Sequence, residues 1–105
     1  MGHYFIYRLH INDTTIYIGI TDLPPSRYYF HKYDCFYKNG KTYNSRLYKT
    51  IRQIGITKKN FSDYVKMEIL YNNVPFSYAE LTENLVIRTY LDWGHSLWNS
   101  TIKMV

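Results

Sequence analysis

Two alternating apolar segments joined by Asn12-Asp13-Thr14 constrain this chain more than any other stretch, because such a pattern folds as a β-hairpin and as little else. On the first segment Phe5, Tyr7, Leu9 and Ile11 share one face, and on the second Ile16, Ile18 and Ile20 fall together. With Asn12-Asp13-Thr14 as the loop, Ile11 pairs with Thr15, Leu9 with Tyr17 and Tyr7 with Gly19. Both phenols then point to one side. A glycine opposite Tyr7 predicts an open space beside the ring, where a ligand could sit. Tyrosine supplies 13 of the 105 residues, so two ordinary strand aromatics fit the same spacing.

That length fits a single domain, residues 1–105, able to bury a core without metal or disulfide staples. Cys35 is the only cysteine, which excludes an internal disulfide and a cysteine-based zinc site. No apolar run approaches the ~18 residues of a membrane span. Met1-Gly2-His3-Tyr4 lacks the charged and apolar regions of a signal peptide. The expectation is a soluble, intracellular protein with no membrane partner.

Charge is more informative by position than by its total of +5. Between positions 32 and 59 eight basic residues, Lys32, Lys38, Lys41, Arg46, Lys49, Arg52, Lys58 and Lys59, face one acid, Asp34, a net +7. A mixed solvated surface does not explain the missing acids. Such a field points to a polyanion, with Lys32, Lys38, Lys41, Arg46, Lys49 and Arg52 as candidate nucleic-acid contacts.

Beyond the hairpin, Asp22 can cap a helix whose first turn holds Pro24 and Pro25 and which runs to about Lys38. Arg27 and His31, four apart on it, can reach one anion together, although exposed pairs of this kind are also common accidents. Asn44 or Ser45 can cap a second helix with Leu47, Ile51 and Ile54 on its buried side, ended by Gly55. Its other side carries Arg46, Lys49 and Arg52, suited to backbone contacts rather than base reading. Residues 64–71 alternate well enough for a third strand, closed by Asn72-Asn73-Val74-Pro75. Ser77 and Glu80 form a capping-box pattern for a last helix that runs to about Trp93 and stops at Gly94. On its wheel Glu83 falls among Ala79, Val86, Ile87 and Tyr90. A carboxylate in an apolar stripe calls for a metal, an arginine such as Arg27 or a buried hydrogen bond.

In order, these residues resemble the GIY-YIG nuclease domain, from Tyr4 to Asn99. Phe5-Ile6-Tyr7 stands where that family has its first motif and Tyr17-Ile18-Gly19 where it has its second. Arg27, His31, Glu83 and Asn99 follow in the family's order. Phe5 replaces the first motif's glycine, and Gly40-Lys41-Thr42-Tyr43-Asn44 lacks the histidine that many members carry before the second helix. The implied fold is α+β, a small three-stranded antiparallel or mixed sheet with an N-terminal hairpin, flanked by three or more helices. The implied activity is divalent-metal-dependent hydrolysis of DNA phosphodiesters, with Mg²⁺ as cofactor and Mn²⁺ able to substitute.

Under that resemblance Glu83 is the only protein ligand to the metal, Tyr7 orients or deprotonates the attacking water, and Tyr17 hydrogen-bonds in the same cluster. Arg27 clamps the phosphate, His31 holds an oxygen or relays the proton, and Gly19 and Asn99 support the site. One site nicks one strand with low specificity, so a double-strand break takes a homodimer or two nicks, and target choice is low or borrowed from a separate partner. Two other readings stay open: a nucleic-acid-binding module on the same scaffold without the chemistry, and a protein-binding subunit with a basic surface.

Overall fold

Strand β1 (His3–Ile11) is the spine of the molecule, a computed structural model that describes residues 3–99. β2 (Thr14–Thr21) pairs antiparallel along one side of it and β3 (Lys66–Pro75) along the other, giving the sheet order β2-β1-β3. The α+β architecture read from the sequence is therefore the architecture found, with all strands antiparallel.

The hairpin reaches its expected register by a different route. Asn12 and Asp13 both take positive φ, 50° and 65°, so the loop has two residues and Ile11 pairs with Thr14. This is the turn whose twist matches paired strands, and Asn and Asp tolerate it. A bulge between Leu9 and His10 then absorbs the shift, restoring Leu9 opposite Tyr17 and Tyr7 opposite Gly19. The bulge also corrects the facing of β2. Ile16 packs with Tyr7 and Leu9, whereas Ile18 and Ile20 lie with Ile6 on the opposite side.

Helix α1 (Pro24–Cys35) starts with both prolines in its first turn, where missing amide protons cost nothing. Leu23, not Asp22, occupies the N-cap position, and the Thr21 hydroxyl accepts from the Leu23 amide. The helix ends at Cys35, short of Lys38. In α2 (Arg46–Gln53) the Ser45 hydroxyl accepts from the Tyr48 amide, an N-cap as read from the sequence. Its buried residues are Leu47, Tyr48 and Ile51; Ile54 is the exposed C-cap, just before Gly55 at φ +95°. A single turn, α3 (Phe61–Tyr64), buries Phe61 and had no counterpart in the sequence reading.

β3 does not close at Asn72. It continues to Pro75 because Asn73 takes φ 56°, letting the strand shift register and pair Val74 with Tyr4. α4 (Phe76–Asp92) follows with Pro75 at its N-cap, so Ser77 lies inside the first turn and the capping box is not formed. Gly94, at φ +94°, follows its C-cap Trp93. Helices α1, α2 and α3 bury Tyr7, Leu9, Ile51 and Phe61 on one face of the sheet. α4 covers the other face through Ala79, Val86 and Ile87, which join Ile6 and Ile18.

The space expected beside Gly19 is filled by Tyr7 itself. A Cβ at residue 19 would lie 2.5 Å from the Tyr7 hydroxyl and 2.8 Å from Cε2 of Tyr17. Glycine is thus required so that two rings can lie against the backbone, one of them held at its far end by a hydrogen bond. Gly19→Ala should cost about 1–3 kcal/mol by overpacking. A drop in the thermal midpoint of roughly 5–20 °C, measured by circular dichroism, is the expected reading. A midpoint within a degree of the parent would show that Tyr7 does not rest on Gly19.

Candidate active site

Five segments converge where β2 forms the edge of the sheet. β1 brings Tyr7, β2 brings Tyr17, α1 brings Arg27 and His31, α2 brings Tyr48 and α4 brings Glu83. The edge is closed by Trp98 and Asn99. The Trp98 amide donates to the Ile16 carbonyl at 2.6 Å, and the Asn99 side chain both accepts from and donates to the Ile18 backbone, at 3.2 and 2.8 Å. Asn99 thus imitates a neighbouring strand along the free edge of β2.

At the centre is a buried chain of three side chains. The Tyr7 hydroxyl lies 2.7 Å from Nε2 of His31, and the Tyr48 hydroxyl lies 2.8 Å from Nδ1 of the same ring. Burial, then the Arg27 charge, lowers the His31 pKa to about 3, so the imidazole is neutral around pH 7. A neutral imidazole donates from one nitrogen and accepts at the other. One tyrosine therefore donates to His31 and the other accepts from it, so a proton passes along the chain only when the first phenol takes up another and the second sheds its own. Burial, reinforced by Tyr17, raises the Tyr7 pKa far above the ordinary phenol value, while Arg27 beside it opposes the rise. Burial raises Tyr48 as well, again against Arg27.

The chain opens onto a cleft of about 290 Å³, whose walls include Tyr17, Arg27, His31, Tyr48, Glu83 and Asn99. Tyr17 packs edge-on to His31 with ring centroids 5.4 Å apart. Tyr7 is 0 % exposed and lies behind this wall rather than in it. Glu83, half-buried on α4, reaches the cleft from the opposite layer of the fold, and it shares that cleft with Arg27. A larger groove of about 440 Å³ between β3 and α4 is lined by Leu70, Leu85, Val86, Trp93 and their neighbours. It holds no charged side chain and no imidazole, and a second groove of about 470 Å³ has His95 alone, whereas the smaller cleft brings Arg27, His31 and Glu83 together.

Of the residues singled out in the sequence, Tyr17, Arg27, His31, Glu83 and Asn99 meet on the cleft, with Tyr7 and Gly19 directly behind. Among the basic candidates Lys38, Lys41, Arg46 and Lys49 are exposed and Lys32 is half-buried. Arg52 is engaged inside the chain. It donates to the Cys35 carbonyl at 2.6 Å and stacks 3.6 Å from the Tyr43 ring centre. Tyr48 escaped sequence reasoning, although a phenol on the buried face of an amphipathic helix usually finds a hydrogen-bond partner.

No cluster of three or more His, Cys, Asp or Glu side chains able to hold a metal occurs among the described residues, and no described helix is long and apolar enough to cross a membrane. Comparison with protein-family models, with curated proteins and with solved structures finds no match to the chain.

Proposed function

We propose that the protein is a divalent-metal-dependent DNA endonuclease of the GIY-YIG type, hydrolysing one phosphodiester bond per cleft. The observation that carries this reading is the Tyr7–His31–Tyr48 chain standing behind a cleft that also holds Arg27 and Glu83. A buried phenol–imidazole–phenol relay is a device for moving a proton, and an arginine beside it is a device for holding a phosphate.

Arg27 clamps the scissile phosphate with its planar fork. The same guanidinium lies beside the Tyr7 hydroxyl, and the mechanism requires that Arg27 turn onto the phosphate and open that buried hydroxyl to the attacking water. Tyr7 takes the proton from this water as its own passes to Nε2 of His31. The Nδ1 proton of His31 moves to Tyr48, which releases its proton into the cleft. Water oxygen bonds to phosphorus, the bond to the leaving oxygen breaks, and that oxygen leaves protonated by solvent. Tyr17 packs His31 and holds its plane.

The donor set fits Mg²⁺. A single cleft carboxylate without a cage suits an ion that keeps most of its waters and takes its remaining ligands from phosphate. Glu83 would hold it, and it supplies charge stabilisation to the phosphate and the leaving oxygen. Mn²⁺ substitutes on the same grounds. One cleft nicks one strand, so two copies or two encounters make a double-strand break.

Supercoiled plasmid incubated with Mg²⁺, Mn²⁺ or EDTA tests the proposal. Nicked circles should accumulate with either metal and fail to form in EDTA. Intact plasmid that is nonetheless bound would replace the nuclease with a binding module, and absence of binding at moderate salt would leave a protein partner.

A further inference from the structure

The outer face of α1 and the turn that follows it carry a ladder of tyrosines that neither the core nor the cleft uses. Tyr29, Tyr33 and Tyr37 follow one another at four-residue steps and are 59, 40 and 43 % exposed. Tyr29 and Tyr33 are stacked, with centroids 6.5 Å apart and planes at 16°. Tyr33 and Tyr37 continue the row at 5.4 Å and 31°. Lys58 reaches across from the segment before α3, its Nζ 5.4 Å from the Tyr33 ring centre. The ladder also begins the +7 stretch of the chain, where Asp34 is the only acid.

We infer that this face binds single-stranded nucleic acid, the tyrosine rings stacking on unpaired bases and the surrounding lysines following the phosphates. Exposed aromatic rings in series offer stacking faces to planar partners, and every base presents one whatever its identity. Lys58 over the Tyr33 ring, within a stretch whose net charge is +7, favours an anionic chain over a neutral apolar surface. A perfect duplex keeps its bases inside the stack and offers the ladder nothing but phosphates.

The same helix turns Arg27 and His31 toward the cleft, about half a turn round from Tyr29 and Tyr33. A strand stacked on the ladder is thus held on the element that carries the phosphate clamp. Resting on the nuclease proposal, this names the substrate class as DNA with an unpaired flap or gap. The platform itself does not depend on cleavage.

Anisotropy of a fluorescent oligothymidylate, titrated with the full chain in EDTA, tests the platform without any cleavage readout. The oligothymidylate should bind more tightly than a blunt duplex of equal length at the same salt. Tyr33→Ala should weaken it at least about fivefold, while Tyr33→Phe, which keeps the ring, should bind like the parent. Equal affinity of Tyr33→Ala and parent, or a duplex bound as tightly as the single strand, would overturn the inference. So would an alanine variant that changes only the oligomeric state in gel filtration, since the ladder would then be an interface between copies. A chain that binds the single strand through Tyr33 yet never nicks plasmid would retain the platform and remove the nuclease.

Discussion

Tyr7→Phe should reduce kcat for plasmid nicking by about 10²–10⁴-fold while leaving DNA affinity within about twofold, because general acid–base steps of this kind contribute that much. The ring that fills the space over Gly19 stays, and only the hydroxyl bonded to His31 is removed. Loss of that hydroxyl also leaves Nε2 of a buried histidine without its partner, at about 1–3 kcal/mol of stability. Activity must therefore be compared well below the variant's own melting temperature. Tyr48→Phe separates relay from scaffold. It removes the partner of Nδ1 at a similar structural cost, but blocks only the outlet of the relay. If the proton travels through His31, kcat should fall about tenfold or more with KM unchanged. Tyr7→Phe at the parental rate would take Tyr7 out of the mechanism, and Tyr48→Phe with only a lower melting temperature would leave Tyr48 as packing. The relay sheds one proton to solvent through Tyr48, so the parental rate should climb with pH toward the alkaline side, and a profile flat from pH 7 to pH 10 would show that no proton leaves the relay up to the rate-limiting step.

What could be read from the sequence was whatever depends on local periodicity and on residues with one dominant conformational use. The hairpin register came through because the alternation on both strands fixes the facing of Tyr7, Leu9 and Tyr17, even though the loop has two residues and not three. The bulge that reconciles them leaves no periodic signal beyond one isoleucine whose facing reverses. Gly19 was legible as a close approach but not as to what approaches. A glycine reports missing volume, and only tertiary packing decides that a tyrosine of the same hairpin occupies it. Ser77 matched a capping pattern that lost to Pro75, whose fixed φ starts α4 two residues earlier. Tyr48 and Arg52 were hidden for a shared reason. Each makes its decisive contact with α1, Tyr48 with His31 and Arg52 with the Cys35 carbonyl, and helix-to-helix distances of this kind have no expression in residue spacing.

Glu83→Ala should abolish metal-dependent nicking, to below about 10⁻³ of the parental rate, while DNA binding and the fold persist. The magnitude follows from removing the charge stabilisation on a phosphate that already carries one negative charge, worth several kcal/mol in the transition state. Retention of binding follows from the layout: the basic stretch that attracts phosphates lies on α1, α2 and their connections, across the sheet from α4. A readout independent of turnover is available in Mn²⁺ itself. With one carboxylate the parent should bind Mn²⁺ weakly alone and more tightly once a DNA phosphate completes the site, whereas Glu83→Ala should show no gain on adding DNA, followed by electron paramagnetic resonance. Glu83→Gln keeps the size and hydrogen-bonding reach of the side chain and removes only its charge, so it should lose metal and activity together with Glu83→Ala. If Glu83→Gln still gains Mn²⁺ with DNA, the ion is held elsewhere. The carboxylate that half-buries itself in the apolar stripe of α4 would then serve the packing of two layers around the cleft, and Arg27 with the phenol–imidazole relay would be left to hold and cut the phosphate without it.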